Sequence, residues 1–544
     1  MEIIKKRNPL ALDISNLASQ YPMTSNYNPF HVSDISYDNP LTCFLDNHSF
    51  SSRYVFHDLH SVKDISSSQV LAKSIYIKYA PLLDPIHFLI GKYESKTKSL
   101  KKQEKIQNHN NTAYIDGFFY FLSSKLLHNH SCVHGVDYYG SCSVVQDKFK
   151  YDIADEYEYL QESEYFMKSL DVLYENDFIV SDSEEHDKKD TLKKKPKILI
   201  GEDDILRKED VEEVFETEEL KTEGNEMEVI FEMGDIQSDK EEEEDDDDDN
   251  SRISLSSEEE DDDDDEDNET EKESEETSEE DDSEENESSE EEEATYIHLF
   301  KFPVHMIFLE KCDGTFDELL EKKLLKDKEM SSALMQIVFT LLIYQKVFHF
   351  THNDLHTNNI VFVKTDIPYI EYVFDKTRYR VPTYGKIYKI IDFGRSIYRF
   401  QDKLCCSDSF AVGGDAHSQY NTEPYLDENK PRLETNFSFD LCRLGCSMYD
   451  FLFDIDEPLP LKMSDIQKTV SRWCQDDVGK NILYKKNGEE RYPNFKLYKM
   501  IARIVHQHTP EKQLTFPLFS QYKVDSLKKD GYLVFIDEIP KYFT

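Results

Sequence analysis

The sequence predicts an α+β fold: a β-rich part interrupted by a long acidic insert, followed by a larger, mainly helical part. Three observations lead there. Apolar residues alternate with period two at 74–79, and strand-like runs return at 295–300 and 304–309, as half-buried strands require. Between these runs, residues 241–293 hold 35 acidic and two basic residues, a local charge of −33 out of −49. Downstream, residues 332–348 form a strongly apolar run of helical length that leads into short polar motifs flanked by strand-like residues. The expected divisions are an N-terminal extension (1–48), the β-rich part (49–150 and 295–312), the insert (151–294), the mainly helical part (313–525) and a C-terminal tail (526–544).

A chain of 544 residues has material for two or three domains and enough apolar content for a core. Without the acidic block the charge is −16, that of an ordinary, mildly acidic globular body. The first residues, Met1 to Arg7, are charged and run into Asn8-Pro9 with no apolar region behind them, unlike a signal peptide. The most apolar run, 334–344, is shorter than the roughly 20 residues that span a bilayer. Nine cysteines lack paired spacing, which argues against a disulfide framework or a zinc site. The expectation is an intracellular protein, neither secreted nor membrane-spanning, with no direct nucleic-acid partner.

Taken in order, residues 1–50 are polar and contain no glycine; the first is Gly91. Residues 49–55 place small side chains before a strand-like run. The strand at 74–79 carries Lys78 near its end, with Lys73 and Lys63 as alternatives for the same role. Residues 111–127 show helical spacing, with Ile115, Phe118, Phe119, Leu122, Leu126 and Leu127 on a broad apolar face. Asp116 is the sole acid between Asn111 and Val136; it serves either a lysine or the helix dipole. Residues 136–141 read as a strand ending in a turn at Gly140.

From about residue 151 the chain turns acidic, with a basic cluster at 188–197 that is also readable as a nuclear import signal. The block at 241–293 cannot bury enough apolar area to offset its ordering entropy, and disorder is expected. It reads as a solvated spacer, as a tail that contacts basic proteins, or as a segment phosphorylated at Ser254, Ser256 and Ser257. Order resumes with the strands at 295–309, a turn through Glu310-Lys311-Cys312-Asp313-Gly314, and a short amphipathic helix. The helix at 332–348 is a core element.

Two motifs carry chemistry. The first, Thr351-His352-Asn353-Asp354-Leu355-His356-Thr357-Asn358-Asn359-Ile360, reads H-x-D-L-x-x-x-N, and the second, Asp392-Phe393-Gly394, reads D-F-G. Phosphoryl transfer needs a carboxylate to orient and deprotonate the incoming hydroxyl, and hard oxygen ligands for Mg²⁺ on the nucleotide phosphates. Asp354 suits the first role; Asn359 and Asp392 suit the second. The 38 positions from Asp354 to Asp392 leave room for an extended hairpin at 365–389, with strands near 369–374 and 379–381 and a turn near Gly385. Residues 395–425 read as loop.

These motifs, with Ser438-Phe439-Asp440-Leu441-Cys442-Arg443-Leu444-Gly445 and Tyr79-Ala80-Pro81-Leu82-Leu83-Asp84-Pro85, resemble the divergent serine/threonine protein kinases of large nucleocytoplasmic DNA viruses, of the iridovirus and giant-virus kind. The resemblance covers about 50–145 and 295–520 and implies a bilobal protein-kinase-like fold, ATP, Mg²⁺ and protein serine/threonine substrates. It implies that Lys78 pairs with the nucleotide phosphates and that Asp116 answers it from the helix. It also makes Leu309 a gatekeeper, brings the backbone of Glu310 and Cys312 to adenine, and has Asp440 anchor the backbone of the Asp354 loop. Residues 509–519 look like the closing helix of the large lobe. Three departures stand out. No glycine-rich loop precedes Lys78; Asn353 replaces the arginine of H-R-D, removing the cation that receives a phosphorylated activation loop; and His356 stands where a lysine is usual. A pseudokinase-like scaffold binding basic proteins, or a small-molecule phosphotransferase, are the alternative readings.

Overall fold

Alternation along three strands sets the first layer. The computed structural model describes residues 23–27, 52–93, 96–154, 156–176, 295–454, 460–485, 488–528 and 530–543, with 23–27 and 96–100 as backbone alone. The basic cluster, the acidic block and residues 49–51 lie outside the described residues, as does the N-terminal extension apart from 23–27. The chain enters with β1 (Met23–Tyr27) and a three-stranded antiparallel meander of β2 (Tyr54–Asp58), β3 (Ser61–Asp64) and β4 (Val70–Ala72). Strand β5 (Ile75–Pro81) follows, then α1 (Pro85–Leu89), α2 (Lys96–Gln107) and α3 (Thr112–His130). Next come β6 (Tyr138–Asp152), the short helices α4 (Tyr157–Gln161) and α5 (Glu164–Lys168), β7 (Tyr174–Asn176) and β8 (Tyr296–Glu310). Strands β1, β6, β8 and β5 pair antiparallel in that spatial order, and β7 also pairs with β8.

Several expectations change here. The runs at 295–300 and 304–309 are one strand of 15 residues that passes through Lys301, at φ +51°, and Pro303. The turn expected at Gly140 is a bulge, at φ +128°, in a strand that continues to Asp152; glycine makes that conformation accessible. Residues 151–154 and 156–176, assigned to the insert on their charge, are folded. Leu160, Phe166 and Tyr174 are buried, and the last two rings stack at 4.6 Å. Three apolar anchors outweigh the acids between them.

The sheet has two differently covered faces. Met306 and Phe308 of β8, with Ile75, Ile77 and Tyr79 of β5, face a core shared with Phe56, Val62 and Phe88. Tyr76, Lys78 and Ala80 alternate to the other face, where Ala80, Ile307 and Leu309 join the core built on α3. The 19-residue α3 is capped by Asn111, whose side chain accepts from the Ala113 amide at 3.0 Å, and ends at Ser131 in the left-handed region.

The second half is mixed. After β9 (Gly314–Thr315) and α6 (Phe316–Glu321) comes α7 (Asp327–Phe348). Helix α7 extends well beyond the apolar run at 334–344. Its most apolar stretch is 94% buried inside the fold, so its length serves a core. Strands β10 (Ile360–Lys364), β11 (Tyr369–Phe374), β12 (Thr377–Pro382) and β13 (Lys386–Ile390) follow. The expected hairpin forms as β11 and β12, turning at Asp375-Lys376, while the turn at Gly385 leads into β13 against β10. The segment expected to be loop contains a hairpin, β14 (Ile397–Phe400) with β15 (Lys403–Cys406). Helices α8 (Phe439–Leu452), α9 (Asp465–Trp473), α10 (Lys496–Ile504), α11 (Pro510–Gln513) and α12 (Pro517–Ser520) complete the helical part.

The expected C-terminal tail is integral to this half. After β16 (Lys523–Val524), which pairs with β12, β17 (Tyr532–Phe535) adds parallel to β11. The Tyr542 amide then donates to Val347 O at 2.9 Å at the end of α7. The described chain is α+β.

Candidate functional site

The loop after α7 is shaped by a single carboxylate. His349, at φ +52°, ends α7, and Thr351 bridges to Ile397. Asp440, in the first turn of α8 and fully buried, accepts from the His352 amide at 2.9 Å and the Asn353 amide at 2.9 Å. Asn353 sits at φ +65°, a region asparagine tolerates better than most residues. Its side chain donates to Arg395 O at 3.0 Å and accepts from the Tyr420 hydroxyl at 2.8 Å. The position that lacks arginine is therefore a buried polar hub.

Asp354 is held from two directions. The Tyr498 hydroxyl donates to its Oδ1 at 2.7 Å, and Arg395 Nη1 lies 3.5 Å from Oδ2. Burial works to raise the Asp354 carboxyl, but Arg395, with His356, Arg443 and the Tyr498 hydroxyl, holds it below the usual carboxylate value. Asn359 donates its Nδ2 to Asp354 O at 3.0 Å and to His356 Nε2 at 3.0 Å. Both partners are acceptors, so the amide is oriented with Oδ1 turned away from them. Burial pushes the His356 imidazole down to about 4, so it is neutral at pH 7 and accepts at Nε2.

Pairing of β10 with β13 brings the second motif alongside the first. Ile360 is opposite Ile390, and the Ile391 amide donates to Asn359 O at 3.0 Å, which sets Asp392 beside Asn359. Asp392 adopts φ +62°. Helix α3 grips the backbone on either side of it: the Asp392 amide donates to the Tyr120 hydroxyl at 2.9 Å and the Phe393 amide to Asp116 Oδ1 at 2.7 Å. Phe393 is fully buried, its ring 4.6 Å from Phe119 and 4.8 Å from Tyr120.

Lys78 closes the cluster. Its Nζ lies 2.8 Å from Asp116 and 2.9 Å from Asp392. Burial opposes the ammonium, yet the two carboxylates hold Lys78 well above its usual value and therefore charged. Burial raises Asp116 to about 6, against the pull of Lys78. Of the lysines considered from sequence, Lys73 is committed elsewhere, to Asp137 at 2.9 Å, and Lys63 sits in the meander. Of residues 49–55 only 52–55 are among the described residues, and they lead into β2. Phe56 of β2 packs 4.2 Å from Phe308, on the face of the sheet away from Lys78.

Glu310 and Cys312 lie on the connection from β8 to β9. The Glu310 carboxylate accepts from Lys389 and from the Asp137 amide at 3.1 Å, while Lys389 also donates to Gly135 O at 2.8 Å. Glu310 thus ties the end of β8 to β13. Cys312 is half-buried, and burial pushes its thiol up to about 12. Leu309 is buried opposite Tyr76.

The structure therefore brings Lys78, Asp116 and Asp392 together, and Asp354 with Asn359 and His356, the two groups meeting where Asn359 adjoins Ile391. Sequence reasoning missed Tyr120, Arg395, Asp415 and Tyr498. Tyr120 had a signal, being one helical turn from Asp116. Arg395 follows the D-F-G directly and pairs with Asp415 at 2.7 Å.

No family model matches the chain. It is 31% identical over 147 residues to an uncharacterised protein of Invertebrate iridescent virus 6, covering 26% of this chain and 23% of that protein. It is also 34% identical over 88 residues to the serine/threonine-protein kinase haspin of Bos taurus, 16% of this chain and 11% of that kinase. With haspin of Mus musculus the figures are 32% over 116 residues, 20% and 15%. The chain thus spans under a quarter of each of these relatives, and over those stretches it is similar to haspin kinases and to an iridovirus protein.

Proposed function

We propose that the chain is an ATP- and Mg²⁺-dependent kinase of protein serine/threonine hydroxyls, with a bilobal kinase-like fold whose small lobe is the β5–β6–β8 sheet with α3. The observation that carries this reading is Lys78 Nζ bridging Asp116 and Asp392 at 2.8 and 2.9 Å while the same helix grips the Asp392 and Phe393 amides. A kinase needs its strand lysine, helix acid and metal-binding aspartate assembled in this way.

In this reading Lys78 neutralises nucleotide phosphate charge and is kept extended by Asp116. Asn359 and Asp392 would hold Mg²⁺; the oxygen donors and the orientation of the Asn359 amide suit a hard cation. The metal supplies charge neutralisation on the phosphates. Asp354, aimed by Tyr498 and Arg395, orients the substrate hydroxyl and takes its proton. Glu310 and Cys312 would offer backbone groups to adenine. Tyr76, 54% exposed, shares the face of β5 that carries Lys78. Asn353, bonded to Tyr420 and to Arg395 O, orders the segment after the D-F-G without a phosphate.

The neutral His356 against Asn359 favours a second reading, transfer to a small molecule. Incubation with γ-labelled ATP, Mg²⁺ and casein or histone separates the two. Label on protein that is lost in Asp354→Ala supports the proposal, and equal labelling by wild type and Asp354→Ala refutes it. An intracellular site of action and a partnership of the acidic block with basic proteins remain parts of this proposal.

A further inference from the structure

Helix α3 carries both Asp116 and Tyr120, so its depth decides whether the Lys78 cluster is assembled. The first amides of a helix lack intrahelical partners. Asn111 satisfies that of Ala113, at 3.0 Å. The Thr112 amide is satisfied from elsewhere in the chain: it donates to Asp408 Oδ1 at 3.0 Å, across 296 positions. Asp408 lies just after β15, in the segment that follows the D-F-G.

The junction has several further bonds. Thr112 Oγ1 donates to Asp408 Oδ1 at 3.1 Å and bonds Ser407 Oγ at 2.9 Å. The Asp408 amide donates to Asn110 O at 2.7 Å, and Lys105 Nζ of α2 pairs with Asp408 Oδ2 at 2.7 Å. On its other side Thr112 touches the D-F-G itself, since a Cβ on Gly394 would meet Thr112 Cγ2 at 2.9 Å. Thr112 is thus wedged between Gly394 and Asp408, one turn ahead of Asp116. Asp408 is buried, and its charge faces a cation and a helix N-terminus, both of which favour an anion.

We infer that Asp408 is a positioning residue that locks α3 onto the D-F-G, a built-in carboxylate doing what an added phosphate does in segments ordered by phosphorylation. The inference rests on the kinase reading above. It complements Asn353: one end of the segment is tied to the Asp354 loop, the other to the helix that holds Lys78.

The test uses the full chain, with Asp408→Ala, Asp408→Asn and each of them combined with Asp116→Ala. Asp408→Ala is expected to lower kcat on a peptide substrate by roughly tenfold, the scale of a lost charged cap, with KM for the peptide unchanged. Asp408→Asn keeps an acceptor for Thr112 and recovers part of the loss. In the Asp116→Ala background, Asp408→Ala should cost less than about twofold, because its effect passes through Asp116. An equal loss in both backgrounds would overturn the inference. Should the wild type transfer no phosphate, the kinase reading fails, and hydrogen exchange decides the clasp separately. Faster exchange at residues 112–116 in Asp408→Ala, with β8 unchanged, supports the lock, and unchanged exchange there overturns it.

Discussion

Replacing Tyr498 by phenylalanine removes one oxygen and isolates the geometry around Asp354. The hydroxyl donates to Asp354 Oδ1 at 2.7 Å and accepts from Arg443 Nε at 2.9 Å, and both side chains around it are buried. A hydrogen bond to a charged group is worth about 1.5–3 kcal/mol. If that interaction aligns Asp354 in the transition state, its loss lowers kcat by about ten- to a hundredfold, at 1.36 kcal/mol per factor of ten. Leaving Arg443 Nε without its partner costs a further ~1–3 kcal/mol of stability. Steady-state phosphorylation of a peptide gives kcat and KM, and a urea titration of the same preparations gives the stability change. The loss should fall on kcat, with KM for ATP little altered, since Tyr498 bonds Asp354 and Arg443 while Lys78 pairs with Asp116 and Asp392. A variant within twofold of wild type in kcat, folded and less stable by the expected amount, would refute the view that Tyr498 aims Asp354 and leave it a core hydroxyl.

Three other outcomes follow from the same structure. Lys78→Met leaves Asp116 and Asp392 facing each other without their cation, and peptide phosphorylation should fall by roughly a hundredfold or more; retained activity would remove Lys78 from the mechanism. Gly445→Ala places a Cβ 2.8 Å from Trp473 Cβ in the packed contact of α8 with α9, so a loss of about 1–3 kcal/mol is expected in urea unfolding, and an unchanged midpoint would show that the helices part without cost. His134, bonded to Tyr388 O at 2.7 Å and the Tyr372 hydroxyl at 2.6 Å, and His305 are fully buried, and burial lowers them to about 4 and about 3. Their folded values lie below the unfolded one, so the stability they contribute is complete above pH ~6.5 and drains away as pH falls toward the folded values, by about 2 kcal/mol for each at pH 5. Equal urea midpoints at pH 7 and pH 5 would contradict this.

What was legible in the sequence is chemistry packed into short spans. Asp354 and Asn359 share one loop, and the D-F-G follows a strand whose alternation is plain, so pairing of β10 with β13 makes their proximity nearly unavoidable. Asp116 was identifiable because it is the sole acid on a helix otherwise apolar on one face, and Lys78 because it ends an alternating strand. The same local reading failed where charge density stood in for structure. It placed residues 156–176 in the insert, although Leu160, Phe166 and Tyr174 bury themselves there, and it treated the last residues as a tail although β17 completes a sheet with β11.

Tertiary structure alone decided who supports whom. Tyr498 reaches Asp354 across 144 positions and Asp408 reaches Thr112 across 296. In sequence the first is one more aromatic on an amphipathic helix, and the second an aspartate in a loop. Neither residue type nor spacing encodes a partner that the chain supplies only after distant elements have packed into one core. The groups proposed to react are therefore readable from local pattern, while the groups that aim and hold them depend on where distant helices and hairpins come to rest.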